Sequence, residues 1–360
     1  MIQTYSTTIR RKEMDAVLTC MVDEKIGPGE LNARLIQQVK EFFRCDGAVA
    51  LRSPAIALDY ALKSMNLEEG SKVMISALAP LWQYQTLKTL GFEPEVLDVN
   101  DSNGLVSVEE IKTGIENGGK VLLLHETEGI VPNFDEILEL GVPVIEDVSM
   151  SAGASVALSE DYLLAVKGSN DKSIVENRKK VGSYGVYTIL GLEERDVITA
   201  GGGAVLISPN RKEWLLLKPF VDSAPVTDLL PDINSALAWV QLKEFARNEK
   251  VRKDLFALFH RACMIGKHNI LVREMDEGST MSCFPLVLAT PFKDVKQYTN
   301  RKDISIQLAF DNSIVACVEE VSEKCIRAKS LYLRCVHFPL YPRLTQSESA
   351  KIVKVLSSLP

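Results

Sequence analysis

The sequence predicts an α/β protein, with a mostly parallel sheet covered by helices and a smaller α/β domain after it. The main observation is alternation. Between residues 28 and 147, short apolar runs with strand character are separated by amphipathic stretches of roughly ten residues, the pattern of successive βαβ units. The second is size, because 360 residues suffice for two hydrophobic cores. The third is composition: 46% hydrophobic and 25% charged residues describe an ordinary globular chain that needs no staple. The division expected from this order is a large domain over residues 1–245 and a small one over 246–360.

The elements follow in order. Over residues 28–43, Leu31, Leu35, Ile36, Val39, Phe42 and Phe43 fall at three-to-four spacing and mark one buried helical face, with Gly27-Pro28-Gly29 as the turn before it. A strand is expected over 48–51. Ser53 and Pro54 then provide an N-cap and a first helical residue, opening a helix that runs to about residue 66. Strands over 73–76, 95–99, 120–124 and 143–147 continue the series, with helices ending near 91, starting at 108 and covering 134–140. A polar insertion occupies 155–180, with residues 167–172 read as a loop. Strands resume over 186–190 and 204–208 on either side of Gly201-Gly202-Gly203, and a long helical region follows over 233–260. The small domain is expected to contain strands over 284–288, 304–308 and 314–318 and a last helix over 347–359.

Charge and cysteine usage narrow the function classes. The formal charge of −7 includes no block of lysine or arginine able to neutralise phosphates, so nucleic acid is not an expected partner. Seven scattered cysteines without C-x-x-C spacing suggest neither a disulfide framework nor a metal, and the histidines show no metal-binding spacing. The segment 1–12 lacks the apolar core of a signal peptide. No apolar run approaches spanning length, so no membrane association and a cytoplasmic location are expected.

Three segments then resemble one family. Ile26-Gly27-Pro28-Gly29, followed by the amphipathic helix and Ala48-Val49-Ala50-Leu51-Arg52-Ser53, is the first. The second is Pro143-Val144-Ile145-Glu146-Asp147 with Gly153-Ala154 and Val181-Gly182-Ser183-Tyr184-Gly185. The third is Phe338-Pro339-Leu340-Tyr341-Pro342-Arg343-Leu344-Thr345. Together they are similar to the DegT/StrS family of PLP-dependent nucleotide-sugar aminotransferases. The resemblance implies a type I PLP fold with a seven-stranded sheet, a homodimer, a PLP cofactor and a nucleotide-sugar ligand; the residue spacing adds no expectation of a metal.

Carried onto this chain, the resemblance assigns Asp147 to the pyridine nitrogen, since a protonated ring accepts electrons from a developing carbanion. It places the phosphate at Ser53, Ala55 and Thr188, and lets Trp82 stand in for the stacking aromatic whose position is Pro80. Pro54 and Ala55 remove an N–H donor and a hydroxyl from the phosphate turn. Met150 and Ala152 replace a glutamine and a histidine. The Schiff-base lysine falls on Arg195 or Glu193, according to the direction of counting, and no lysine occurs between Lys180 and Lys212. Arginine stays protonated and forms no Schiff base. Three expectations follow: a member of the family that no longer transaminates and acts as a binding or regulatory dimer; a PLP enzyme on nucleotide-linked sugars, aminotransferase or dehydratase-like, working without the usual lysine; or a nucleotide-sugar binding protein without cofactor.

Overall fold

The computed structural model describes residues 1–157, 159, 178–266, 268–273, 275 and 278–360. Most of the 155–180 insertion, with the loop read at 167–172, lies outside the described residues. Its two ends form a short antiparallel pair, β6 (Ser155–Ala157) with β7 (Arg178–Lys180).

The alternation in sequence becomes a seven-stranded sheet. Its strands are β1 (Gly47–Leu51), β2 (Lys72–Ser76), β3 (Glu93–Leu97), β4 (Gly119–His125), β5 (Val144–Asp147), β8 (Tyr187–Gly191) and β9 (Ala204–Ser208), in the order β1-β9-β8-β5-β4-β2-β3. Strands β3, β2, β4, β5 and β8 pair in parallel, and β9 is antiparallel to both β8 and β1. The central strands β5 and β8 are buried throughout their length and β4 is buried apart from Lys120, as both faces of a parallel sheet must be when helices cover them. Those helices include α1 (Arg11–Val22), α2 (Glu30–Phe43), α3 (Pro54–Ser64), α4 (Leu81–Thr89), α5 (Val108–Glu116), α6 (Phe134–Leu138), α7 (Arg211–Asp222) and α8 (Asp232–Lys243).

Two family-like segments owe their shape to buried carboxylates. Asp232, at the start of α8, accepts from the backbone N–H of Gly29 at 2.8 Å, Asn32 at 2.8 Å and Leu31 at 3.1 Å, so a residue some 200 positions away caps α2. Glu146 is fully buried and accepts from the N–H groups of Gly182 (2.7 Å), Tyr184 (2.7 Å) and Gly185 (2.6 Å), which seats the Val181–Gly185 turn beneath the sheet.

The long helical region contains a break. Helix α8 ends at Lys243 and α9 (Phe245–Cys263) starts after Glu244. Beyond it, a four-stranded antiparallel sheet runs β10 (Asn269–Ile270), β11 (Phe284–Val287), β13 (Cys335–Phe338) and β12 (Gln307–Leu308) in that order. It is flanked by α10 (Phe292–Arg301) and α14 (Gln346–Leu356), the latter opened by a capping box between Thr345 and Glu348.

Two strand expectations fail here. The strand expected over 304–308 shrinks to Gln307–Leu308, because Ile304 instead bridges Ile2 near the N-terminus. The run expected as a strand over 314–318 is helix α11 (Ile314–Cys317), followed by α12 (Glu319–Lys324) and α13 (Ile326–Arg334). The N–H groups of Ile314 and Val315 donate to the carbonyls of Ala79 and Ala77 after β2, so this short apolar run docks end-on against the large core. Periodicity over five apolar residues does not separate that outcome from a strand.

Two buried clusters result. One surrounds the seven-stranded sheet, and the other joins Phe256, Phe259 and Phe284 to Phe338, Ile352 and Ile2. Residues 310–335 pack with the first cluster although they follow residue 245 in the chain, so the cores interleave along the sequence.

Candidate active site

A cavity of about 550 Å³ opens at the carboxyl ends of β2, β4, β5 and β8, where ligands collect in sheets of this kind. Asp147 stands on its floor at the end of β5. The adjacent Glu146 points to the opposite face, as neighbouring strand residues do.

Asp147 is enclosed by four hydrogen bonds. Its Oδ2 accepts from Gln83 Nε2 at 2.8 Å and contacts His125 Nδ1 at 3.1 Å, and its Oδ1 accepts from Ser149 Oγ at 2.5 Å and Ser149 N at 3.2 Å. Burial by itself works to raise the pKa of this carboxyl. The bonds and charge of His125, with both donors of Ser149, outweigh burial and hold the group below the usual carboxylate range. An ionised carboxylate offers about four lone-pair sites, and these donors engage that number.

The other predicted positions divide. Ser53, Ala55 and Trp82 line the cavity with Asp147. Ser53 acts as the N-cap of α3, its Oγ accepting from Ile56 N at 3.2 Å. Thr188 does not line the cavity. It pairs in register with Glu146 and so shares that residue's face, away from Asp147, where its hydroxyl donates to the Gly182 carbonyl at 3.0 Å. Arg195 and Glu193 lie exposed at the rim. The Arg195 guanidinium sits 4.5 Å from the centroid of the Tyr5 ring, donates to Gln307 Oε1 at 3.2 Å and reaches Asp311 at 3.6 Å. Met150 also lines the cavity, while Ala152 is fully buried and does not.

Sequence reasoning missed Tyr5, Gln83, Ser149, Glu128, Cys283 and His337, of which all but Gln83 line the cavity. Ser149 alone had a local signal, since a serine two residues after an aspartate suits a side-chain-to-backbone turn. The rest come from helix interior, strand or terminal segment without a distinguishing pattern.

Six acidic side chains line the cavity (Glu128, Asp147, Glu193, Glu194, Asp311 and Asp196, the last held largely protonated at neutral pH by burial), whereas Arg195 is the one lining guanidinium or ammonium group among the described residues. That balance is unfavourable to a phosphate dianion. Pro54 has no N–H to offer, and Asp147 has no free lone pair for a pyridinium. Among the described residues, therefore, the lining fits poorly with the contacts that PLP needs at its phosphate and at its pyridine nitrogen.

Burial pushes Asp196 up to about 8, opposed by the Glu193 N–H and helped by the charges of Asp147 and Glu193. The sign follows from linkage. A carboxyl raised above its unfolded value of about 3.9 binds more protons when native, so stability falls as pH rises from about 4 to about 8. Asp196→Asn is expected to flatten this part of the profile, as checked by urea unfolding of both proteins at about pH 5 and about pH 9. Equal losses in the two proteins would remove the assignment.

Comparison with known proteins identifies the fold. Structurally, the chain is similar to the aminotransferase TlmJ from Streptoalloteichus hindustanus, with TM-score 0.83 and 14% identity over 99% of this chain and 98% of that one. It is also similar to a GDP-4-keto-6-deoxymannose-3-dehydratase variant with bound GDP-perosamine (TM-score 0.82, 15% identity, 99% and 100% covered). A third similar structure is a protein from Streptococcus pneumoniae described as a sugar aminotransferase, in its PLP form (TM-score 0.82, 14% identity, 97% and 96% covered). At these identities the likeness establishes the fold, that of PLP-dependent sugar aminotransferases and dehydratases. No helix among the described residues is long and apolar enough to cross a membrane. The sequence profile of the DegT/DnrJ/EryC1/StrS aminotransferase family matches residues 7–218 and 226–357, and with nearly the whole chain covered, the protein belongs to that family.

Proposed function

We propose that this chain is a non-transaminating member of its family, a dimeric binding protein whose cavity takes a small polar ligand without forming a Schiff base. The observation that carries this reading is the closed hydrogen-bond shell of Asp147. In an aminotransferase the corresponding carboxylate must keep an acceptor site for the pyridinium; here Gln83, His125 and Ser149 use that capacity. The absence of lysine from residues 181–211 supports it, because an aldimine needs an amine that can lose its proton.

The acid-rich lining favours a ligand bearing hydroxyl or ammonium groups, which carboxylates accept from, over one that presents phosphate to the cavity floor. The volume suits a molecule of sugar size. A nucleotide sugar, the ligand printed for the similar dehydratase structure, is compatible with this reading only if its phosphates remain outside the acidic rim.

Titration of the purified protein with PLP tests the proposal. We expect no visible absorption band beyond that of free PLP and no mass increase after borohydride reduction, with the protein sedimenting as a dimer. A band that borohydride fixes on the protein would demand a reactive lysine and overturn the proposal, and a monomer would remove its dimeric part.

A further inference from the structure

We propose that Glu128, Cys283 and His337 form a transition-metal site of the zinc type, closed by protein on three sides and open to the cavity on the fourth. Glu128 Oε2 lies 2.5 Å from His337 Nε2 and 2.6 Å from Cys283 Sγ, and the three donor atoms all fall within 4.8 Å of one another. All three residues are buried, and all three line the cavity. One carboxylate oxygen, one imidazole nitrogen and one sulfur make a donor set suited to zinc, and a three-ligand site with an exchangeable fourth position is the arrangement of reactive zinc centres.

The scaffold holds these donors firmly. His337 is within β13, and Cys283 immediately precedes β11, the strand paired with it. Glu128 comes from the turn after β4, where its backbone is left-handed (φ 56°, ψ 25°), a conformation uncommon for a residue other than glycine and one that turns this side chain toward the small sheet. Outer partners are also in place. The Tyr5 hydroxyl is hydrogen-bonded to Nδ1 of His337, leaving Nε2 directed at the site, and Arg273 donates to the Glu128 carbonyl at 3.1 Å.

Without metal, the thiol of Cys283 donates to Glu128. Ligands of one tetrahedral ion stand about 3.5 Å apart, so binding requires the Glu128 carboxylate to withdraw by about 1 Å, a side-chain adjustment toward the open cavity. The divalent ion replaces the thiol proton, which passes to solvent. The proton that Nε2 of His337 holds toward Glu128 leaves to solvent, and His337 binds the ion through Nε2 as the neutral tautomer whose single ring proton, taken up on Nδ1 from solvent if not already there, donates to the Tyr5 oxygen. The charges of thiolate and carboxylate balance those of the ion.

Cobalt(II) titration of the chelator-treated full-length protein tests the site. One equivalent per chain should bind and give a thiolate-to-cobalt charge-transfer band in the near ultraviolet, and zinc should bleach it by displacement. Cys283→Ser should abolish the band, whereas Cys335→Ser should keep it. Glu128→Gln and His337→Gln should weaken zinc binding by more than the roughly 10-fold to 100-fold expected for loss of an outer partner, the range in which Tyr5→Phe should fall. Absence of a stoichiometric band in the wild-type protein, or its persistence in Cys283→Ser, would overturn the proposal. Should a variant fail to fold, X-ray absorption on the zinc-loaded wild type still decides: one sulfur ligand with nitrogen and oxygen supports the site, and no sulfur overturns it. These readouts involve no organic ligand, so the outcome is independent of the binding function proposed above.

Discussion

Glu146→Leu is expected to destabilise the protein by about 4 kcal/mol, read as a lowered urea midpoint with little change in slope. The carboxylate of Glu146 accepts from three backbone N–H groups in the Val181–Gly185 turn, all within 2.7 Å. Leucine leaves those donors without partners in a dry interior, and each orphaned group costs roughly 1–3 kcal/mol before the turn relaxes. Glu146→Gln keeps one carbonyl oxygen and should lose about half as much. The damage should reach the cavity, because β8 follows this turn directly and pairs with β5 at Asp147. A loss below about 1 kcal/mol would show that the turn is held by its own packing.

Asp232→Ala should cost about 3 kcal/mol, with the effect concentrated at the start of α2. Three N–H groups at Gly29, Leu31 and Asn32 converge on its two carboxylate oxygens, which also place negative charge at the positive end of the helix. Gly29 cannot replace this cap, having no side chain, and its own carbonyl already accepts from Ala33. Amide exchange at residues 29–32 should quicken far more than exchange in β4 or β5. Asp232→Asn, with one acceptor oxygen left, should show an intermediate loss. Uniform quickening across the sheet would instead mark global unfolding.

Both residues hold segments through which the sequence resembles the family. The Gly27-Pro28-Gly29 turn and the Val181–Gly185 turn are receptors for Asp232 and Glu146, which hold the scaffold whether or not any cofactor is bound. Asp147, next to Glu146 but on the other face, belongs to the cavity. A motif that spans both residues therefore carries structural and chemical information together.

Strand and helix order was legible because each strand of a parallel sheet is a continuous apolar run between amphipathic helices, a local property. The same reasoning failed at Ile314–Cys317, where hydrogen bonds to Ala77 and Ala79, far away in sequence, decided the conformation. The strand end pointed to Asp147, and the resemblance singled out Ser53, Ala55 and Trp82; all four line the cavity. Thr188 was misplaced because only the register with β5 reveals its face.

By itself, the sequence determined the α/β class, the family and the absence of a lysine from residues 181–211, since these depend on local pattern and residue identity. Only the tertiary structure decided that Asp147 is already enclosed by donors, and that Glu128, Cys283 and His337 meet. Residues from three distant segments are brought within hydrogen-bonding reach by sheet pairing and a single left-handed turn, and no spacing along the chain encodes such a meeting.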